Sequence, residues 1–337
     1  MIKLLKAITL FLPAILIISC SAVAIEQPNS QSNHELESNT EFQEIWRRSD
    51  IFLGENNRRP NIVSGSGTVA ILGIRNTDYI GGSIFGIGAS DGEDLWELPG
   101  VGGEQIVTLN NILFRGTTGT AHLQAYNLET GEFLWQNRLG RARSVLDIYP
   151  LADKVFAFTI NNELFELNNN GEIISNSKED FRSFIVMEGI TYMEDVLSIK
   201  AVNLASKNEL WKININSRYT HAPIFDKGEI FLRTEVNPAD IYSIDQLTGN
   251  VNWKKSYNAL SNLYITNDKV YFLSSDSNLV VINRESGSEI IKVKFLPPFN
   301  LSKSSSGYFI TGDNVNNILL VCLGDKGQII GLKIKDP

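Results

Sequence analysis

Few residues in this chain are of a type and spacing that could do chemistry, and the first of them is Cys20. It ends the run Ile17-Ile18-Ser19-Cys20, at the close of an apolar stretch from Ala7 to Ile18 that follows Lys3 and Lys6. A basic start, an apolar run and a small-residue exit make a secretory signal. A cysteine at that exit is the acceptor of a lipobox, and acylation would make it the first residue of a lipid-anchored protein. Ala22-Val23-Ala24 offers a second exit, ordinary cleavage after Ala24, which would leave the protein periplasmic or secreted. The placing of a lone cysteine at the end of the apolar run favours the first. An uncleaved spanning helix is disfavoured, because the run, broken by Pro13, falls short of the roughly 20 residues that cross a bilayer.

The remaining candidates do not assemble into a reaction centre. His34, His122 and His221 are far apart, and none has a metal-ligand spacing. Cys322 lies in the apolar run Ile318 to Leu323 and has no partner once Cys20 is lipidated or removed, which reads as a buried inert thiol. Asp91, Asp147, Asp195 and Asp240 are scattered and read as turn or loop residues. No cofactor and no metal are expected.

The charge balance excludes one class of partner. Net charge is −8, and loss of Lys3 and Lys6 takes 30 basic residues to 28 against 38 acidic ones, so the exported chain carries −10. Nucleic-acid binding relies on clustered Lys and Arg, and adsorption to anionic lipid relies on the same sign. Neither is expected, and the membrane is reached only through the anchor. Residues 1–19 are therefore assigned to the signal and 20–41 to a disordered polar tether, since Glu26 to Thr40 is rich in Gln, Asn, Ser and Glu.

What must position any functional residue is a repeat that fills residues 42–337. Its clearest unit is a strand, a Gly-type turn and a second strand bearing Trp, as in Leu128-Glu129-Thr130-Gly131-Glu132-Phe133-Leu134-Trp135 and Leu247-Thr248-Gly249-Asn250-Val251-Asn252-Trp253. The turn positions 92, 131, 171, 207, 249 and 287 are 39, 40, 36, 42 and 38 residues apart. A period near 40 means propeller blades or helical repeats, and period-two alternation decides for strands. Each period also holds an earlier hairpin, such as Tyr264 to Phe272 around Asn267-Asp268, and a third strand, such as Asn278 to Ile282. Four strands in 40 residues make one blade.

Six turn motifs give six blades. The C-terminal stretch supplies three more strands, and the isolated segment Phe42 to Arg47, with Ile45 and Trp46, would close the ring as the fourth strand of a seventh blade. The fold class is all-β, a seven-bladed β-propeller of four-stranded antiparallel blades closed by an N-terminal strand. The repeated position of Trp46, Trp96, Trp135, Trp211 and Trp253 assigns them to packing between blades.

The Thr-Gly turn followed four residues later by Trp resembles the pyrroloquinoline-quinone-like (PQQ-like) repeat, over about residues 42–335. With the signal and tether, the chain resembles the propeller lipoproteins of the outer-membrane β-barrel assembly machinery. That resemblance implies a noncatalytic protein-interaction scaffold of the bacterial cell envelope, although those relatives are usually eight-bladed. The quinoprotein dehydrogenases that share the repeat imply an alternative, an extracytoplasmic enzyme that is quinone-dependent or carboxylate-based. They are longer and carry an adjacent Cys pair and a calcium site, and this chain has no Cys pair.

In a propeller the turns between strands one and two, and three and four, lie on one face. The connections between strands two and three, and between blades, lie on the other, and their expected length and variety mark it as the working face. It would carry Arg47, Arg48, Arg58, Arg59, Arg138, Arg141, Arg143, Arg218, Tyr219 and His221. Arginine forks on an acidic protein point to an anionic or carboxylate-bearing partner, and the partner expected is an unknown protein of the envelope.

Overall fold

Every period of the repeat becomes one twisted antiparallel sheet. The computed structural model describes residues 35–37, 41–53, 62–75, 82–100, 105–151, 153–178, 184–187, 189–195, 197–203, 205–215, 217, 223–234, 238–296, 308–314, 316–323 and 327–335; at 35, 52, 53, 184–187, 194 and 195 it describes the backbone alone. Two strands, β1 (Glu35–Leu36) and β2 (Phe42–Arg48), precede the blades. Blade 1 holds β3 (Ile51–Leu53), β4 (Ile62–Gly65), β5 (Thr68–Arg75), β6 (Ser83–Gly88) and β7 (Asp94–Pro99). Its innermost position is shared, since β3 and β4 both pair with β5. Blade 2 is β8 (Gln105–Leu109), β9 (Ile112–Gly116), β10 (His122–Asn127) and β11 (Phe133–Arg138). Blade 3 is β12 (Val145–Leu151), β13 (Lys154–Thr159), β14 (Glu163–Asn168) and β15 (Ile173–Lys178). Blade 4 is β16 (Phe184–Met187), β17 (Ile190–Asp195), β18 (Ser198–Asn203) and β19 (Glu209–Asn214). Blade 5 is β20 (Ile224–Asp226), β21 (Glu229–Arg233), β22 (Ala239–Asp245) and β23 (Val251–Tyr257). Blade 6 is β24 (Tyr264–Ile265), β25 (Lys269–Leu273), β26 (Asn278–Asn283) and β27 (Glu289–Leu296). Blade 7 is β28 (Phe309–Asp313), β29 (Ile318–Leu323) and β30 (Gln328–Ile334), completed by β2.

Closure is therefore as the sequence predicts. β2 runs antiparallel to β30, with Phe42 opposite Ile334 and Arg47 opposite Ile330. Pairing the chain's two ends leaves no open seam in the ring. One element is new: β1 lies on the outer edge of blade 6, with Glu35 opposite Leu296 and Leu36 opposite Phe295. Leu36 packs on the blade 6–7 core. The stretch expected to be free tether up to residue 41 thus joins the fold at Glu35.

Among the described residues the core falls into seven clusters, one per seam between neighbouring blades. Cys322 is buried in the blade 7–1 cluster, and burial alone pushes its thiol well above the usual range. Five seams share one device. The indole Nε1 of Trp46, Trp96, Trp135, Trp211 and Trp253 donates to a backbone carbonyl of the next blade's turn: Ala89, Leu128, Asn169, Gln246 and Arg284 respectively, at 2.7–3.2 Å. The ring lies against the turn residue itself, Gly92, Gly131, Gly171, Gly249 or Gly287. Within each blade the residue opposite the indole is small: Gly331, Gly86, Ala125, Ala201 or Ser243. Blade 3 has no Trp, and there Ser175 takes its place opposite Glu166.

Candidate partner-binding face

The connection from blade 2 to blade 3 shows how the fold presents arginine. Leu139 and Ala142 are buried and hold the loop down, so Arg141 and Arg143, at the alternate positions, point outward and are exposed. The loop is tied on both sides. Leu139 N donates to Ala121 O (2.9 Å) and Val145 N to Thr117 O (3.2 Å) from blade 2, while Ile160 N of blade 3 donates to Ser144 O (3.1 Å). Arg138, at the end of β11 opposite His122, is exposed as well. Among the described residues no carboxylate pairs with Arg138, Arg141 or Arg143.

Two residues that the sequence does not single out join this face. Ile160 and Leu197 sit on the connections between strands two and three of blades 3 and 4, and are 53% and 51% exposed. Those connections are short, residues 160–162 and 196–197, so the expectation of longer and more varied loops on this face fails in these two blades. The hydrogen bond from Ile160 to Ser144 sets an exposed aliphatic side chain beside Arg143 on a rigid frame. Arginine next to an apolar anchor is the composition of protein–protein contact surfaces. The available signal was a large aliphatic residue directly beside turn residues, as in Ile160-Asn161-Asn162.

Arg47 and Arg48 do not belong to the free set. Arg48 donates to Asp50 (2.9 and 2.6 Å), to Asp94 (2.6 Å) and to Gly92 O (2.9 Å). Arg75 completes the square, donating to both oxygens of Asp94 (2.9 and 2.7 Å) and lying 3.0 Å from Asp50. Hydrogen bonding to Arg48 holds Asp50 below the usual carboxylate range, and Arg75 does the same for Asp94. The same bonds, that with Asp50 first, raise the Arg48 guanidinium further. Arg47 is held by Glu44 (2.9 and 2.5 Å) and Gln328 (3.2 Å). Both arginines were expected on the binding face. Instead they secure the junction where the ring closes, because β2 is a fourth strand whose neighbours are blades 7 and 1.

Arg58, Arg59, Arg218, Tyr219, His221 and Cys20 lie outside the described residues. Of the scattered carboxylates, only Asp91 is a turn residue, accepting from Glu93 N at 3.0 Å. Asp147 and Asp195 lie in β12 and β17, and Asp240 lies in β22, paired with Lys254 (2.8 Å) and Ser256 (2.5 Å). Alternating strand positions on a half-solvated sheet tolerate such pairs, which the loop reading overlooked. Among the described residues no three His, Cys, Asp or Glu side chains converge to hold a metal ion.

The architecture is a seven-bladed β-propeller of four-stranded antiparallel blades, with one indole contact repeated at five of its seams. Residues 184–329, from β16 into β30, match the family model described as outer membrane protein assembly factor BamB. Among solved structures, BamB from Moraxella catarrhalis is similar at 12% identity, with 87% of this chain and all of that chain covered and a TM-score of 0.54. A chain of the mitotic checkpoint complex is similar at 9% identity, with 99% of each chain covered and a TM-score of 0.65. The computationally designed Ika8 protein is similar at 12% identity, with 87% of this chain and all of that chain covered and a TM-score of 0.54. No match is found among curated protein sequences. Likeness at this level of identity speaks for the fold alone.

Proposed function

We propose that the protein is a noncatalytic interaction scaffold of the bacterial cell envelope, held to a membrane by lipid on Cys20 and offering its variable-loop face to a protein partner. The observation that carries this reading is the blade 2–3 connection, where exposed Arg138, Arg141 and Arg143 have no described carboxylate and where Ser144, next to Arg143, accepts from the backbone of exposed Ile160. Arginine left without an acid on a protein of net charge −8 has its complement elsewhere. The match to an outer-membrane assembly factor supports the envelope as the setting and a protein as the partner.

A photo-crosslinking residue placed at Arg141, tested in the native envelope, should trap a discrete protein adduct. The same residue at Lys227, in the β20–β21 turn on the opposite face, should trap none. Equal adducts from both positions would remove the assignment of the face. Anchoring is tested separately: Cys20→Ala should move the protein from the membrane to the soluble fraction. Retention of the variant on the membrane would exclude the lipid.

A further inference from the structure

Between blades 5 and 6, at the end of β23, lies an open pocket of about 170 Å3. Its walls are fixed by backbone. Ala259 bridges to Ser274, Ser275 N donates to Asn258 O (2.6 Å), and Leu260 N donates to Leu273 O (2.7 Å). Its floor is apolar: Phe272 and Val280 are buried, and the Tyr257 ring tilts against Phe272 with 5.3 Å between centroids. The Tyr257 hydroxyl is already committed, donating to Gly287 O at 2.7 Å.

The rim is polar and carries both signs of charge, from Ser256, Asn258, Asp276, Glu289 and Lys292. A bulge in β27, where Ile291 faces Val281 and Glu289 faces Ile282, brings Glu289 and Lys292 to one side although they are three residues apart. Lys292 pairs with Asp276 at 3.0 Å, which leaves ammonium protons unused. Burial works against the Asp276 charge, but hydrogen bonds from Ser274, Lys292 and Asn278 outweigh it and hold the carboxyl at about 2. The Asn258 amide and the Glu289 carboxylate have no described partner.

These groups select by exclusion. An anion meets Asp276 and Glu289, and a cation meets Lys292. An apolar ligand would cover five polar side chains without giving them partners, which costs free energy for each. A neutral ligand with many hydroxyls can donate to Glu289, accept from Lys292 and Asn258, and set its carbon face on the half-buried Tyr257. We propose that this pocket takes one unit of a saccharide. The site lies three blades from the Arg141 loop, so its failure would leave the scaffold reading untouched.

The test uses the exported chain with D-glucose and N-acetyl-D-glucosamine as probes and methylammonium and acetate as charged controls, read by ligand-observed saturation-transfer NMR and titration. A sugar should give transfer and the charged controls should not. Asn258→Ala and Lys292→Met should each weaken sugar binding by about tenfold or more, with unchanged melting temperature. Transfer that is equal in wild type and in the double variant, or absent for both sugars, would overturn the proposal. Binding of methylammonium that is lost in Glu289→Gln would also overturn it, in favour of a cation site.

Discussion

Trp96 lies face-on against Gly131 of the next blade, so closely that a Cβ on the glycine would stand 2.7 Å from the indole Cγ. The same indole donates to Leu128 O at 2.9 Å. Two needs meet at that glycine: its φ of +70° suits a residue without Cβ, and so does the ring above it. The sixth turn tests the logic within the molecule. Lys207 adopts the same left-handed backbone, with φ of 59°, where blade 3 offers Ser175 and no Trp. The side chain returns where the indole is missing.

Gly131→Ala should therefore destabilise by about 2–4 kcal/mol, combining left-handed strain with overpacking against Trp96. Lys207→Gly should be neutral or stabilising by up to about 1 kcal/mol, because it relieves the strained φ without opening a packed contact. Urea midpoints of the two variants decide. Equal losses at both positions would show that backbone conformation, and not the indole, sets the requirement.

The turns, the Trp positions and the closing strand were legible because each rests on local chemistry repeated at a fixed period. Gly131, Gly249 and the Trp four residues on are visible in any stretch of eight residues. The β1 clip was not, since backbone hydrogen bonds along Glu35 and Leu36 leave no side-chain pattern, and Leu36 is the lone large apolar residue between Glu26 and Thr40. The Arg48–Asp94 pair joins residues 46 apart across a seam, a distance no periodicity encodes. Of the expected binding face, Arg138, Arg141 and Arg143 could be read from loop position. Ile160 was missed because it continues the apolar pattern of β13, and only the turn residues directly after it signal that it is exposed.

The N-terminal strands should contribute in steps. Removing residues 20–34 should leave the melting temperature unchanged. Removing 20–40 should cost about 1 kcal/mol through the half-buried Leu36. Removing 20–49 should lower the melting temperature sharply, since it exposes the edge of β30 and removes buried Trp46, worth about 3–5 kcal/mol by itself. Thermal unfolding of the three truncations checks the order. A flat series would mean that β2 does not close the ring in solution.

Acid should loosen the same junction. Asp50 and Asp94 are held below their ordinary value by Arg48 and Arg75, so their contribution is present above the unfolded value of about 3.9 and is lost as pH falls through the folded values. Asp50→Asn with Asp94→Asn should be less stable than wild type near neutral pH, and the gap should narrow as pH falls below about 3.9 and through the folded values. Both carboxylates are partly exposed, so the gap should also shrink in high salt. A gap that stays constant with pH would assign the loss to packing.

The working face is tested by reversing charge where it is free. Arg141 and Arg143 are exposed and carry no described ion pair, so Arg141→Glu with Arg143→Glu should change stability by less than about 0.5 kcal/mol. Binding to an acidic protein partner should fall, and the loss should deepen as salt is lowered, because screening no longer masks the reversed sites. Lys227→Glu with Lys269→Glu makes the same change of charge on the opposite face, in the turn after β20 and at the start of β25. That pair should leave partner binding intact. Equal weakening by the two pairs would reduce the effect to net charge, and weakening by the lysine pair alone would move the partner to the face of tight turns.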